Sequence, residues 1–393
     1  MYQWNPDRIL AASVSWLKHS GIINREVGSR TFGAFHYGCS LLRKNYFQTY
    51  SEITGYGISL LLRLYRQKAD TVFLNLAINA AKHLVEVQLK DSDSGGAGAF
   101  AHGYLYQDKH YSSDYFSFDT GICLSGLADL YFDTEWAPLV EPIDRAATWL
   151  ATAAQYEDGS FRARYEKRDG DFKPLPEFAD WFNDSCGLHA KCSLGLIKAW
   201  EITAKPEFKA AALKSMDWVL SLQTEEGAFT LHKGSDDVYT HAHCYVLEAL
   251  LFTISTLGSE AEKYKTAAQK AVDWLIGTMN PDGSFYRYYP ARRFFHEVVT
   301  DATSQTARLL LSLSDDALNK YSEKALTYLA EQQWRHLASV HARGCFTSKR
   351  YKINKLSVPA LKIMSWPTIF TIHAFLMFKM RLKNVKFGGR ELF

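Results

Sequence analysis

The chain has 393 residues, 47% of them hydrophobic, so it carries ample material for a core and intrinsic disorder is excluded. Lys and Arg number 45 against 42 Asp and Glu, and no basic block interleaves with aromatics, so nucleic acid is not an expected partner. Six cysteines without framework spacing suit reduced thiols in a cytoplasmic protein, the N-terminus lacks the pattern of a signal peptide, and no apolar run predicts a transmembrane helix.

Six Gly-x-Phe turns, each following a helical segment, recur at intervals of 56 to 68 residues, which reads as six copies of one helical hairpin. The first copy carries Trp16-Leu17 on a helix, the turn Gly33-Ala34-Phe35, and an apolar helix expected from near Tyr56. The second has His83-Leu84, Gly98-Ala99-Phe100 and a helix from Asp119. In the third, Trp149-Leu150 precedes Gln155, an acidic turn and Gly159-Ser160-Phe161; a long charged and aromatic loop over 162–183 then leads to a helix from Asp184. The fourth repeats this with Trp218-Val219, Gln223, Gly227-Ala228-Phe229 and a helix from Thr240. The fifth has Trp274-Leu275, Asn280 in the Gln position, Gly283-Ser284-Phe285 and a helix from Asp301. The sixth has Tyr328-Leu329, Gly344-Cys345-Phe346 and a helix from Ser365. Ser160 to Tyr165 and Ser284 to Tyr289 alternate briefly and predict small hairpins. The basic stretch Lys379 to Lys386 reads as a solvated tail, with peripheral contact to anionic lipid as the alternative.

Helices before the turns are amphipathic: Phe208, Ala212, Met216, Val219 and Leu222 share one stripe, with Lys209, Lys214 and Asp217 off it. Helices after the turns are apolar on nearly all sides, as in Cys186 to Trp200, and several start on Ser, Thr or Asp, the capping residues. Alternating outer and inner helices predict an all-α protein, an (α/α)6 toroid formed by one domain over 1–393. All six inner-helix starts then face one rim, where polar residues distant in sequence converge.

At those starts Asp184, His241, Tyr245, Asp301 and Arg308 are the candidate catalytic residues, and Asp119, Trp181, His189, His243, Arg287, Tyr288, Gln305 and Trp366 the candidate substrate-binding ones. His241, Tyr245 and Glu248 are spaced i, i+4, i+7 and share a helix face, as do Asp301, Gln305 and Arg308. Imidazole, phenol, carboxyl and guanidinium groups facing one cavity equip it for acid–base work on a polar substrate. Structural alternatives stand beside these roles: Asp119, Asp184 and Asp301 as N-caps, His189 as a core histidine. Zinc is the competing reading, with Asp184, Cys186, His241 and His243 as ligands; otherwise no cofactor is expected.

The Gln-x-x-x-Gly-x-Phe turns at Gln155 and Gln223 are similar to the repeat turns of protein prenyltransferases and squalene cyclases, and the chain as a whole resembles the α/α-toroid superfamily, which also holds six-hairpin carbohydrate enzymes. Asp184-x-Cys186 followed by His241 resembles the zinc-binding set of protein prenyltransferases, which implies a zinc-dependent prenyltransferase or cyclase-like enzyme as one function. The Asp-x-Asp-Asp acid motif of squalene cyclases is absent from the sequence. A looser resemblance to toroid proteins found with polysaccharide-biosynthesis genes, together with the polar cavity, favours a carbohydrate-active enzyme working on a polar or acidic saccharide as lyase, hydrolase or epimerase. A non-catalytic scaffold of a polysaccharide assembly is the third expectation.

Overall fold

A computed structural model describes residues 4–42, 45–91, 95–173, 185–290, 296–313, 315–353, 356–385 and 388–392. The helices in chain order are α1 (Pro6–His19), α2 (Ser51–Lys68), α3 (Thr71–Val87), α4 (Ser117–Thr134), α5 (Val140–Thr148), α6 (Cys192–Thr203), α7 (Pro206–Leu220), α8 (Thr240–Leu257), α9 (Lys265–Thr278), α10 (Thr300–Ser312), α11 (Asn319–Glu331) and α12 (Ser365–Arg381). Odd-numbered helices precede the Gly-x-Phe turns and even-numbered ones follow them. Trp181 and Asp184, two of the expected site residues, lie outside the described residues.

The repeat has one mechanical device. The glycines of the six turns all hold φ between +88° and +106°, a region that side chains avoid. A Cβ at any of them would fall 2.1 to 2.4 Å from a backbone carbonyl oxygen of the next outer helix: Asn79, Arg145, Lys214, Lys270, Lys324 and, for Gly344, Ala12 of α1. Each turn therefore lies directly against helix backbone. A glutamine locks the contact from inside. Gln155 Nε2 donates to Gly159 O (3.1 Å) and to Ala211 O of α7 (2.9 Å), and Gln223 Nε2 does the same to Gly227 O (3.1 Å) and Ala267 O (2.8 Å). Gln88 and Gln333 make the equivalent pair of bonds in the second and sixth copies. The turn's Phe N–H donates to a side chain one turn into the following inner helix, Thr54, Thr120, His243 or Thr368, at 3.0 to 3.3 Å.

Chain contacts divide the molecule into two compact units. One comprises Met1–Ile23, Gly38–Phe47 and Gln223–Phe393; the other comprises Asn24–Tyr37 and Gln48–Leu222. In the latter, inner helices α2, α4 and α6 pack on one another, with α3 against α2, α5 against α4 and α7 against α6. In the former, α10 packs between α8 and α12, and α9, α11 and α1 cover α8, α10 and α12 respectively.

Strands run straight into several inner helices: Asp114–Phe116 into α4, Val238–Tyr239 into α8, His296–Val299 into α10 and Lys362–Met364 into α12. Antiparallel partners hold each strand, as Tyr288–Tyr289 hold Val238–Tyr239 and Phe285–Tyr286 hold Val298–Val299. Arg164–Glu166 pairs with both Asp114–Phe116 and Asp171–Lys173, so the expected short hairpins are parts of small sheets.

These strand-led helix starts correct the capping expectation. Asp119 and Asp301 sit inside the first helical turn, while the cap positions are Phe116 and Val299, which make no side-chain cap bond. A strand pinned by its partner already sets the chain's direction. The hydroxyl at the first helical position donates outward instead, Ser51 to Ala101 O (2.5 Å), Ser117 to Arg162 O (2.5 Å) and Thr240 to Tyr286 O (2.6 Å). The first inner helix also begins earlier than expected, at Ser51. The basic stretch after Lys379 is no free tail at its start, because Lys379 pairs with Asp7 and Arg381 donates to Leu311 O at 2.9 Å. Among the described residues no helix is long and apolar enough to cross a membrane.

Gly227→Ala tests the docking of the turn. Gly234 also has positive φ (+77°) but nothing within 4 Å of its Cβ position, so Gly234→Ala loses only about 1–2 kcal/mol of backbone strain. Gly227→Ala adds about 1–3 kcal/mol of overpacking against Lys270 O. Urea denaturation is expected to separate the two variants; equal midpoints would contradict the docking.

Candidate active site

Helices α8, α10 and α12 each present three residues on one stripe at the first, fifth and eighth positions after the start residue, the i, i+4, i+7 spacing of a helix face. They are His241, Tyr245 and Glu248 on α8, Asp301, Gln305 and Arg308 on α10, and Trp366, Phe370 and His373 on α12. Neighbouring helices in register stack these residues into three layers. In the layer at the helix starts, Trp366 Nε1 donates to Asp301 Oδ2 (3.0 Å), and His241 Nδ1 stands 4.0 Å from the same oxygen. In the middle, His241 Nδ1 is 2.5 Å from Gln305 Oε1, and the Tyr245 ring lies 4.3 Å from the imidazole. Deepest, Arg308 Nη2 donates to Glu248 Oε1 and Nη1 to His373 Nδ1 (3.1 Å), while its guanidinium covers the Phe370 ring at 4.7 Å.

Hydrogen-bond chemistry assigns the tautomers. Gln305 Oε1 only accepts, so His241 carries its proton on Nδ1 and leaves a lone pair on Nε2. Arg308 only donates, so His373 Nδ1 accepts and the proton is on Nε2. Burial lowers the pKa of His241 below its usual value, against the opposing pull of Asp301 and the Gln305 bond, so the imidazole is a neutral base. Gln305 is fully buried, yet its Nε2 has no hydrogen-bond partner among the described residues. An amide donor left unmet in a core costs about 1–3 kcal/mol, and a ligand acceptor would recover it. Glu248 and Arg308 are 0% and 3% exposed; removing one partner of such a pair costs about 3–5 kcal/mol.

The remaining expected residues are placed as follows. Arg287 and Tyr288 flank Tyr239 where the chain enters α8, with the Tyr239 and Tyr288 rings stacked at 5.1 Å. Asp119 belongs to the other unit, where it is buried, 2.8 Å from His102 Nδ1, and accepts from Tyr50 at 3.4 Å. Burial raises its pKa and His102 opposes the rise. His189 lies in the short turn Gly187–Lys191, its Nδ1 accepting from Cys186 N–H (3.3 Å) and its ring against Phe161. The ring is buried, which accords with the core alternative. His243 is a correction: Nδ1 accepts from Phe229 N–H (3.0 Å) and Nε2 donates to Ala271 O (3.3 Å), which leaves neither nitrogen for a metal or a substrate. It occupies the slot of Thr54, Thr120 and Thr368. Among the described residues no three His, Cys, Asp or Glu side chains are grouped to hold a metal ion.

Arg308 is also not a free cation, since it pairs with Glu248 through Nη2 and donates to His373 through Nη1. His373 was not singled out in the sequence; counting seven residues on from Trp366 along α12 would have found it.

The described fold is similar to several solved structures over nearly its whole length. A cellobiose 2-epimerase from Bacillus thermoamylovorans B4167 has a TM-score of 0.76 at 11% identity, covering 95% of this chain and 100% of its own. A sugar epimerase from a ruminal bacterium has a TM-score of 0.77 at 10% identity, covering 96% and 98%. An unsaturated glucuronyl hydrolase from Bacillus sp. GL1 has a TM-score of 0.68 at 12% identity, covering 98% and 98%. A family model described as pectic acid lyase matches residues 249–347. No curated protein matches the sequence. At these identities the likeness shows the fold, an all-α (α/α)6 toroid of six helical hairpins, as the repeat predicted.

His243 carries a pH test. Burial lowers its pKa from 6.5 to about 3, so the unfolded chain takes the proton first. Its contribution to stability is complete above about pH 6.5 and is lost as pH falls toward 3, at up to about 1.4 kcal/mol per pH unit. His243→Thr is expected to flatten the acid limb of the urea midpoint between those values; an unchanged limb would show that the buried ring is not the cause.

Proposed function

We propose that this chain is a carbohydrate-active enzyme that moves a proton on a polar or acidic saccharide, with His241 as the base. The observation that carries this is the His241 tautomer: its proton goes to Gln305, and Nε2 makes no hydrogen bond among the described residues. Asp301, 4.0 Å from the ring, stabilises the imidazolium once the proton is taken, and Trp366 holds Asp301 in place. Tyr245 serves by packing on the imidazole, while Arg308 orients His373.

Among hydrolysis, elimination and epimerisation, the site favours the last two. Glycoside hydrolysis ordinarily needs a pair of carboxyl groups with separate duties. Of the acids on the three layered stripes, Glu248 is committed to Arg308, leaving Asp301 alone. Removing a proton from carbon beside a carbonyl or carboxylate needs one positioned base and a means of returning the proton. The similar structures named as sugar epimerases and the pectic acid lyase match support the same reading. On this reading the chain works in polysaccharide biosynthesis or modification.

The test is solvent deuterium incorporation at sugar carbon, followed by NMR with reducing disaccharides and with uronate oligosaccharides. His241→Gln is expected to slow exchange by roughly 10²–10⁴-fold while the far-ultraviolet circular dichroism stays unchanged. The acid limb of kcat/KM should fall below the ordinary histidine value of about 6.5. Exchange that persists at the native rate in a folded His241→Gln protein would remove His241 from the mechanism.

A further inference from the structure

We infer that Arg287 is the carboxylate-recognising residue of this site, so that its substrate class is the uronate-containing saccharides. The inference rests on the proposed acid–base reading and specifies its substrate. Glu297 lies between two cations. Its Oε2 accepts from Arg287 Nη1 and its Oε1 from Lys349 Nζ, both at 2.7 Å. One carboxylate thus serves two positive charges, and the trio is left one charge positive. The nearby Lys352 and Asp282 form their own pair at 3.2 Å and leave that surplus untouched.

The surplus is directed. Arg287 lies 5.6 Å from the Tyr239 ring centre and 5.9 Å from that of Tyr288, and those two rings stack on each other. Its Nε is buried without a hydrogen-bond partner among the described residues, while about a third of the side chain (32%) is open to solvent. The solvent-open part of a planar guanidinium suits a carboxylate better than a hydroxyl, because a charge-assisted bond is roughly twice as strong as a neutral one. Aromatic faces beside it offer a surface for the apolar side of a pyranose ring. Tyr239 also lies 5.7 Å from the His241 ring, and the charge of Arg287 helps to keep that imidazole unprotonated. An anion bound at Arg287 is therefore next to the base. Pairing with the guanidinium offsets the negative charge that builds on the carboxylate when His241 takes the proton from the adjacent carbon.

The experiment is isothermal titration calorimetry of the full chain with galacturonate and glucuronate trisaccharides and with their methyl esters, which lack the negative charge and carry one added methyl group per uronate. The native protein is expected to prefer an acid over its ester by roughly tenfold to a hundredfold. Arg287→Gln should abolish that preference while leaving ester binding unchanged, and added salt should weaken only the acid. Glu297→Gln removes the competing carboxylate and should tighten acid binding, an outcome that a merely structural role for the trio would not produce. Equal affinity for acid and ester in the native protein, or an acid preference that survives Arg287→Gln, overturns the assignment. So does binding of a sugar phosphate in place of both uronates. His241-dependent deuterium exchange on a neutral sugar, with no uronate bound, would overturn this inference and leave the acid–base reading intact. Loss of exchange dependence on His241 would strike that reading first.

Discussion

The structure depends on a backbone-to-backbone contact. At each Gly-x-Phe turn the chain lies so close to the next outer helix that no side chain fits between them, and the last turn makes the same contact with the first helix through Gly344 and Ala12. Close approach of this kind buries carbonyl groups that need donors. Gln88, Gln155, Gln223 and Gln333 supply them, each bridging the turn's glycine carbonyl and a carbonyl of the helix it meets. In the second, fourth and sixth copies the following Phe N–H is also met by a side chain from the inner helix. Turn, outer helix and inner helix are thereby tied at one point in those three copies, and the inner helix acquires a defined starting position.

That starting position governs the chemistry. With α8, α10 and α12 entered in register, residues one, five and eight places after the start residue meet their counterparts on the adjacent helix. The deep layer neutralises itself, since Glu248 meets Arg308 and Arg308 meets His373. Charges buried this far are tolerated only when paired and hydrogen-bonded. The layers above it are less complete, with an unmet amide on Gln305 and a lone pair on His241. A fold that satisfies its depths while leaving donors and acceptors near the helix starts concentrates reactivity where a ligand can complete the bonding.

The fold does not choose the reaction. Solved structures similar to this one carry names as different as epimerase and hydrolase, and the family match is to a lyase. One scaffold hosts several chemistries because the side chains at the inner-helix starts can change without disturbing the turns. Here those side chains commit one carboxylate to an arginine and leave a neutral imidazole beside the other. On the proposed reading this favours proton transfer over the two-carboxyl route.

The helical-hairpin repeat was legible in the sequence because the same turn residues recur at a nearly constant period, each required by local backbone geometry that any copy must satisfy. The helix faces were legible too: His241, Tyr245 and Glu248, and likewise Asp301, Gln305 and Arg308, follow from periodicity alone. Which partner each group meets was not. His243 looked as available as His241, two residues away, yet one ring is spent on Phe229 and Ala271 while the other faces Gln305. Glu297 and Lys349 gave no sign of sharing a site with Arg287, because 52 residues separate the first two in sequence and only an antiparallel sheet brings them together. Sequence by itself determined the repeat, the helices and the stripe each polar residue occupies, since these depend on neighbours a few residues apart. Tertiary structure alone decided which imidazole keeps a lone pair and which carboxylate is shared between two cations, because tautomer and charge balance are set by contacts between distant segments.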